Sequence, residues 1–312
     1  MMQQVKNFNH LLAHTHQLVT AKGKARVALI GANDALHLEA ILRANEEGII
    51  DPVLIGRREA LTKTAEARGL DISRLTVINS SSQLNSIDIA TGLAKDSRVD
   101  FFFRGNIATA KLLPRLFEAW PDFHSEKQLI SHVAVFEPEV YPRLLLMSDG
   151  VVNVASNVER KLAIIQNAVS IANLLGMALP KVALLAAVEV IYPSMPVTVE
   201  AAAIAKMSDR GQIKNCLIDG PLSMDVATVP EVAEHKGAVS PVAGQADILI
   251  APNIETGNGI YKAMAMFGKS KTAGVIIGGR LPIAMSSRCD SIENIFNSAV
   301  LGAFVSLSSK QK

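Results

Sequence analysis

The chain has 312 residues, 49% of them hydrophobic and 19% charged, and 31 Lys and Arg against 29 Asp and Glu leave a formal net charge of +2. That balance excludes disorder over most of the length and, at roughly 100–200 residues per domain, points to two domains. A mean hydropathy of +0.26 suggests a membrane protein, yet the longest apolar runs, such as VALLAAV at 182–188, stop at Glu189, far short of the roughly 20 residues a bilayer span needs.

The N-terminal MMQQVKNFNHLLAHTHQLV is broken by polar residues and His, unlike the apolar core of a signal peptide, so a cytoplasmic protein with no membrane association is expected. From residue 25 short apolar runs alternate with helical stretches: RVALIGA at 26–32, LHLEAILRANEEG at 36–48, PVLIG at 52–56, LTVIN at 75–79 and VDFFFRG at 99–105. Then come HVAVFE (132–137), LLLMSD (144–149), a helix over 159–176, KVALLAAVE (181–189), a helix over 199–211, NCLIDGP (215–221), ADILIAP (246–252) and GVIIGG (274–279). Continuous apolar runs of this length predict strands covered on both faces by helices, and each of the two named helices closes on a Gly suited to a left-handed terminus. The fold class is therefore α/β and doubly wound; no linker composition marks a domain boundary.

Short motifs are missing. GNG at 257–259 does not complete G-x-G-x-x-G, and no P-loop, H-E-x-x-H or G-x-S-x-G occurs. Among the histidines at 10, 14, 16, 37, 124, 132 and 235 only His10 and His14 have helical pairing, for which a solvated helix face is the commoner reading. Cys216 and Cys289 are too few for a disulfide framework or a thiolate metal site. With 4% aromatic residues and no basic stripe, nucleic acid is not expected as a partner.

Two strand-loop-helix segments can bind an anion. In 274–304 the loop ends in Ser286, Ser287 and Arg288, and Asp290 with Glu293 has capping-box spacing, which predicts a helix start just beyond Arg288, where unpaired N–H groups attract oxyanions. An isolated Ser-Ser-Arg is more often plain capping beside a surface Arg. In 101–115 Gly105 permits close backbone approach, Thr109 can cap or donate, and Arg104 and Arg115 flank the turn, although solvated charges are the commoner role for such arginines. Ligands of open α/β sheets sit beyond strand carboxyl ends, so the two loops can share one cleft. A third segment, 218–227, carries Asp219 and Asp225 around a Gly-Pro turn, where turn fixing is commoner than acid–base work.

The blocks at 189–227, 242–264 and 273–291 (AGVIIGGRLPIAMSSRCDS), with NVERKLAIIQNAV at 157–169 and residues 28–56, resemble the phosphate acetyl/butyryltransferase family, more closely its butyryl branch. The resemblance covers nearly the whole chain and is weakest over 57–98. It implies acyl transfer between acyl-CoA, butyryl-CoA or a similar short chain, and inorganic phosphate, with coenzyme A a substrate and no metal or redox cofactor. It implies a two-domain α/β/α fold like that of isocitrate and isopropylmalate dehydrogenases, with residues 1–126 plus 277–312 in one domain and 127–276 in a second, dimer-forming one. A homodimer and a functionally coupled acyl kinase are implied as partners.

By the same resemblance Ser287 stabilises the tetrahedral oxyanion and Arg288 holds phosphate. Gly105, Thr109, Arg115 and Lys262 match substrate-loop positions, and Arg104 and Ser286 flank them. The acetyl branch has a basic Asp where this chain has Asn294, which leaves Asp290 as the nearby carboxylate for that role. Two other readings stay open: a metal- and NAD(P)-dependent dehydrogenase of the same fold, using Asp219 and Asp225, and a non-catalytic acyl-CoA binding protein.

Overall fold

A computed structural model describes residues 4–125, 128–154 and 157–309. In chain order its elements are α1 (Phe8–Lys22), β1 (Ala25–Ile30), α2 (Ala35–Glu46), β2 (Ile50–Gly56), α3 (Arg58–Arg68), β3 (Thr76–Asn79), α4 (Gln83–Lys95), β4 (Phe101–Arg104) and α5 (Thr109–Ala119). They continue with β5 (Ser131–Glu137), β6 (Leu145–Ser148), α6 (Val158–Leu174), β7 (Lys181–Leu185), α7 (Pro196–Asp209), β8 (Leu217–Leu222), α8 (Met224–Thr228), α9 (Pro230–His235), β9 (Ile248–Ile250), α10 (Ile254–Lys262), β10 (Lys271–Ile277), β11 (Ile283–Met285) and α11 (Ile292–Ser309).

The chain divides into two compact units, Asn7–Ile130 with Lys271–Lys312, and Met1–Lys6 with Ser131–Ser270. β10, expected mostly in the middle portion, joins the unit built from both chain ends because it hairpins with β11, and β11 in turn pairs with β4. Val5 goes the other way: its N–H donates to the Leu175 carbonyl at 2.9 Å.

In the end-built unit the strands run β3-β2-β1-β4-β11-β10. All neighbours are parallel except β10 and β11. The order reverses after β3, so with right-handed crossovers α2 and α3 cover one face and α4 the other, and the switch point falls between β1 and β4. α11 fills the first face against β10, β11, β4 and β1. Its residues from Asn294 to Leu307 are all buried, so no polar stripe marks it as a surface helix. Arg43 of α2 clamps it, with Nη1 2.5 Å from Glu293 Oε2 and the guanidinium 4.0 Å above the Phe296 ring.

The middle unit has the order β5-β6-β9-β7-β8, with β5 and β6 antiparallel and the rest parallel. Phe136, Met147, Leu185 and Leu249 anchor its core. As expected, the glycines after α6 and α7, Gly176 and Gly211, take positive φ of 86° and 72°. The expected single loop after β10 is corrected: it contains β11, three residues between Pro282 and Ser286, too short for an apolar run to reveal.

Candidate active site

Parallel register aligns Ile30 of β1 with Arg104, and Arg104 of β4 with Met285 of β11. Three adjacent strands therefore end on one rung at the switch point. Their continuations, Gly31 to His37, Gly105 to Thr109 and Ser286 to Asp290, emerge side by side where open sheets place ligands.

Arg104 braces two of them. It is 6% exposed, its Nη1 donates to the Ile107 carbonyl at 2.6 Å, and its Nη2 donates to the Ser286 carbonyl. Gly105 donates to the Ile30 carbonyl at 2.9 Å, and a Cβ there would lie 2.6 Å from the Gly31 oxygen. The close approach that Gly105 permits is thus to the end of β1, and it draws the loops after β1 and β4 together. Beside them a cavity of ≈ 530 Å³, lined by Gly31, Asn33, Arg57, Ser81 and Asn106, would suit part of a cofactor-sized substrate.

The Ser286–Asp290 segment is a turn closed on itself. The Ser287 N–H donates to Asp290 Oδ2 at 2.6 Å, and the Asp290 N–H donates to the Ser287 carbonyl at 3.1 Å. The expected capping role of Asp290 is corrected: α11 starts at Ile292, and the Ser291 hydroxyl caps it, accepting from the Asn294 N–H at 3.2 Å. Asp290, 4% exposed, shapes the turn instead. Ser287 is half-buried, with Oγ 3.2 Å from Cys289 Sγ. Arg288 is exposed and makes no hydrogen bond or ion pair with another described residue, so its planar fork is available to an oxyanion.

His37 and Asp34 were missed by sequence reasoning. Asp34 caps α2, accepting from the His37 N–H at 3.1 Å. Its Oδ1 is 2.6 Å from His37 Nδ1, and His37 Nε2 is 3.1 Å from Ser286 Oγ. Burial pushes the His37 pKa down, against the pull of Asp34 upward, and the net value lies below the ordinary 6.5. Burial pushes Asp34 up, but hydrogen bonds from the His37 ring and backbone outweigh it and hold the carboxyl below its usual range. The signal was there as D-x-x-H at a helix start, hidden because the helix was begun at residue 36.

The other expected residues lie on separate elements. Thr109 is the first residue of α5, half-buried, behind an Ala108 that gives no side-chain cap. Arg115 has its fork filled by Asp88, at 2.7 and 2.8 Å, and Glu118 at 2.8 Å. Lys262 ends α10 in the middle unit and is exposed. Asn294 accepts from the Thr272 N–H at 3.0 Å and so fastens β10 to α11. Asp219 accepts from the following N–H at 2.8 Å, and Asp225 pairs with Lys236 at 3.3 Å. Among the described residues no group of three or more His, Cys, Asp and Glu could hold a metal ion, and no helix is long and apolar enough to cross a membrane.

The profile of the family described as "Phosphate acetyl/butaryl transferase" matches residues 81–303. The chain belongs to this family. It is 38% identical over 301 residues to the phosphate butyryltransferase of Clostridium acetobutylicum, covering 96% of this chain and 98% of that protein. With the phosphate acetyltransferase of Thermotoga maritima it shares 37% identity over 287 residues, covering 92% and 97%. The solved branched-chain phosphotransacylase of Enterococcus faecalis superposes with a TM-score of 0.80 at 27% identity, covering 92% of this chain and all of that one. For fold alone, a 4-hydroxythreonine-4-phosphate dehydrogenase described as putative, from Salmonella typhimurium, matches at a TM-score of 0.57 and 14% identity, which agrees with the dehydrogenase-like α/β architecture expected from the resemblance.

Proposed function

We propose that this protein catalyses reversible acyl transfer between a short-chain acyl-CoA, butyryl-CoA or one close to it, and inorganic phosphate, giving acyl phosphate and coenzyme A. The observation that carries this reading is the Ser287–Arg288 pair on a turn at a strand carboxyl end, with the arginine exposed and without a hydrogen bond or ion pair among the described residues, in a chain of the phosphate acetyl/butaryl transferase family. A phosphate oxygen attacks the thioester carbonyl, the C–S bond breaks, and the thiolate leaves and takes a proton. In reverse the thiolate attacks the acyl phosphate and phosphate leaves. Both directions pass one tetrahedral oxyanion, toward which the Ser287 hydroxyl donates while Arg288 grips phosphate. One such donor is worth about 3–4 kcal/mol of barrier. Coenzyme A is a substrate, and no step runs through a metal or a redox group.

Asp290 acts in this reading by fixing Ser287, and Arg104 and Gly105 by holding the neighbouring loops; Ser286 and Thr109 belong to the substrate surroundings. Cytoplasm, where coenzyme A and phosphate are abundant, fits the chemistry, as does an acyl kinase that consumes the acyl phosphate. The exposed Val190, Ile191 and Tyr192, each more than half accessible, support pairing of two chains through the middle unit, which sedimentation velocity checks.

The test supplies acetyl-, propionyl-, butyryl- and branched acyl-CoA with phosphate and follows free thiol. Phosphate-dependent release, fastest with a short acyl chain, is the expected result. Binding of acyl-CoA without release, or metal-dependent nicotinamide reduction instead, would overturn the proposal.

A further inference from the structure

Within the transfer reading just given, on which this inference rests, His37 has no role, yet it is 8% exposed and both ring nitrogens are engaged. We infer that Asp34 and His37 are a positioning pair that holds the Ser286–Ser287 turn in its anion-binding geometry through the Ser286 hydroxyl, and that the reaction requires His37 to be neutral.

The bonding fixes the tautomer. The Asp34 carboxylate only accepts, so Nδ1, 2.6 Å from it, carries the hydrogen, and Nε2 presents its lone pair to Ser286 Oγ at 3.1 Å. Ser286 is 1% exposed. Its hydroxyl is held by His37 and its carbonyl by Arg104, and the next N–H, that of Ser287, is held by Asp290. Consecutive polar groups of one turn are thus fastened to α2, to β4 and to the turn itself. The Arg43 clamp on Glu293 and Phe296 keeps α2 seated on α11.

Protonation would turn Nε2 from acceptor to donor, remove the partner of the Ser286 hydrogen, and add a second buried cation near Arg104. The charged groups around the ring are Asp34 at its own helix end, Arg104 from β4 and Asp290 from the turn before α11. Farther along α2, Arg43 is taken by Glu293 of α11, and Glu39 lies 4.0 Å from Arg68 of α3. β2 carries its acid, Asp51, at its starting end. Burial lowers the ring's pKa, which favours its neutral form.

The test is the pH profile of phosphate-dependent thiol release by the full chain. In His37→Gln the amide oxygen can still accept from Ser286 but does not titrate; kcat at pH 8 is expected within about fivefold of wild type, with the acidic fall of kcat abolished. His37→Ala is expected to lower kcat by about tenfold to a hundredfold at every pH, with the acyl-CoA KM little changed, because the turn loses its support. An unaltered acidic limb in His37→Gln, or wild-type kcat in His37→Ala, overturns the inference. If His37→Ala does not fold, the His37→Gln profile decides. Nitrogen NMR of the wild-type ring gives a readout independent of turnover: Nδ1 protonated and Nε2 bare at pH 7.5 is expected, and the opposite tautomer overturns the positioning pair. If wild type releases no thiol with any acyl-CoA, the transfer reading fails, while the NMR tautomer still judges the Asp34–His37–Ser286 arrangement.

Discussion

Two arginines of the end-built unit look alike in sequence and differ in structure. Arg115 lies on α5 with its fork closed by Asp88 of α4 and Glu118 one turn along; Arg288 lies on a turn after β11 with its fork open. Asp88, then Glu118, push the Arg115 pKa above its ordinary value, in keeping with the hydrogen bonds that fill its fork. The difference is in the supply of partners. A guanidinium whose acids are already provided ties two helices together, whereas one left unpaired beside a hydroxyl and a fixed turn can accept an anion from solution.

The comparison can be broken or sharpened by substitution. The largest effect is expected at the open site: Ser287→Ala should lower kcat by roughly a hundredfold or more with modest change in substrate affinity, read from initial rates of thiol release. Next comes Gly105→Ala, whose Cβ would meet backbone oxygens of Ile30 and Gly31 at 2.8 and 2.6 Å. Neither atom is a flexible side-chain end, so a loss of about 1–3 kcal/mol in denaturant unfolding is expected, together with lost activity. The smallest effect belongs to the closed arginine. Arg115→Ala should leave the phosphate KM within about threefold and change stability only slightly, as half-exposed ion pairs do. A hundredfold rise in that KM would mean that Asp88 yields the fork to substrate.

Acid should also separate the regions. His37 and Asp34 both have lowered pKa values in the folded chain, so the unfolded chain binds more protons. His37 contributes its full stabilisation above about pH 6.5 and loses it as pH falls through its folded value; Asp34 does the same from its ordinary 3.8 downward. Thermal unfolding should therefore weaken from pH 7 to 5 in wild type, and less so in His37→Gln. Equal slopes would show that the ring is not held neutral by the fold.

Much of the fold was legible because burial on both faces writes itself as uninterrupted apolar runs, as in Phe101–Phe102–Phe103 and Ala134–Val135–Phe136. β11 was not legible, since three residues carry no period, and its absence hid why Ser286 emerges beside Arg104 and not after β10. Ser287 and Arg288 were readable as a pattern of hydroxyl and guanidinium before a helix. The roles of Asp290 and Asn294 were not, because a carboxylate closing a turn and an amide pinning a strand look the same in sequence as a cap or a base. His37 was invisible for a different reason: its partner Ser286 lies 249 residues away, and only the β1-β4-β11 register brings them together.

The central claim is that Arg288 grips phosphate, and the steady-state phosphate dependence of thiol release in Arg288→Ala tests it most directly. A fall of roughly a hundredfold or more in kcat/KM for phosphate, with the acyl-CoA KM nearly unchanged, is the expected result. A phosphate KM and turnover equal to those of wild type would contradict the account.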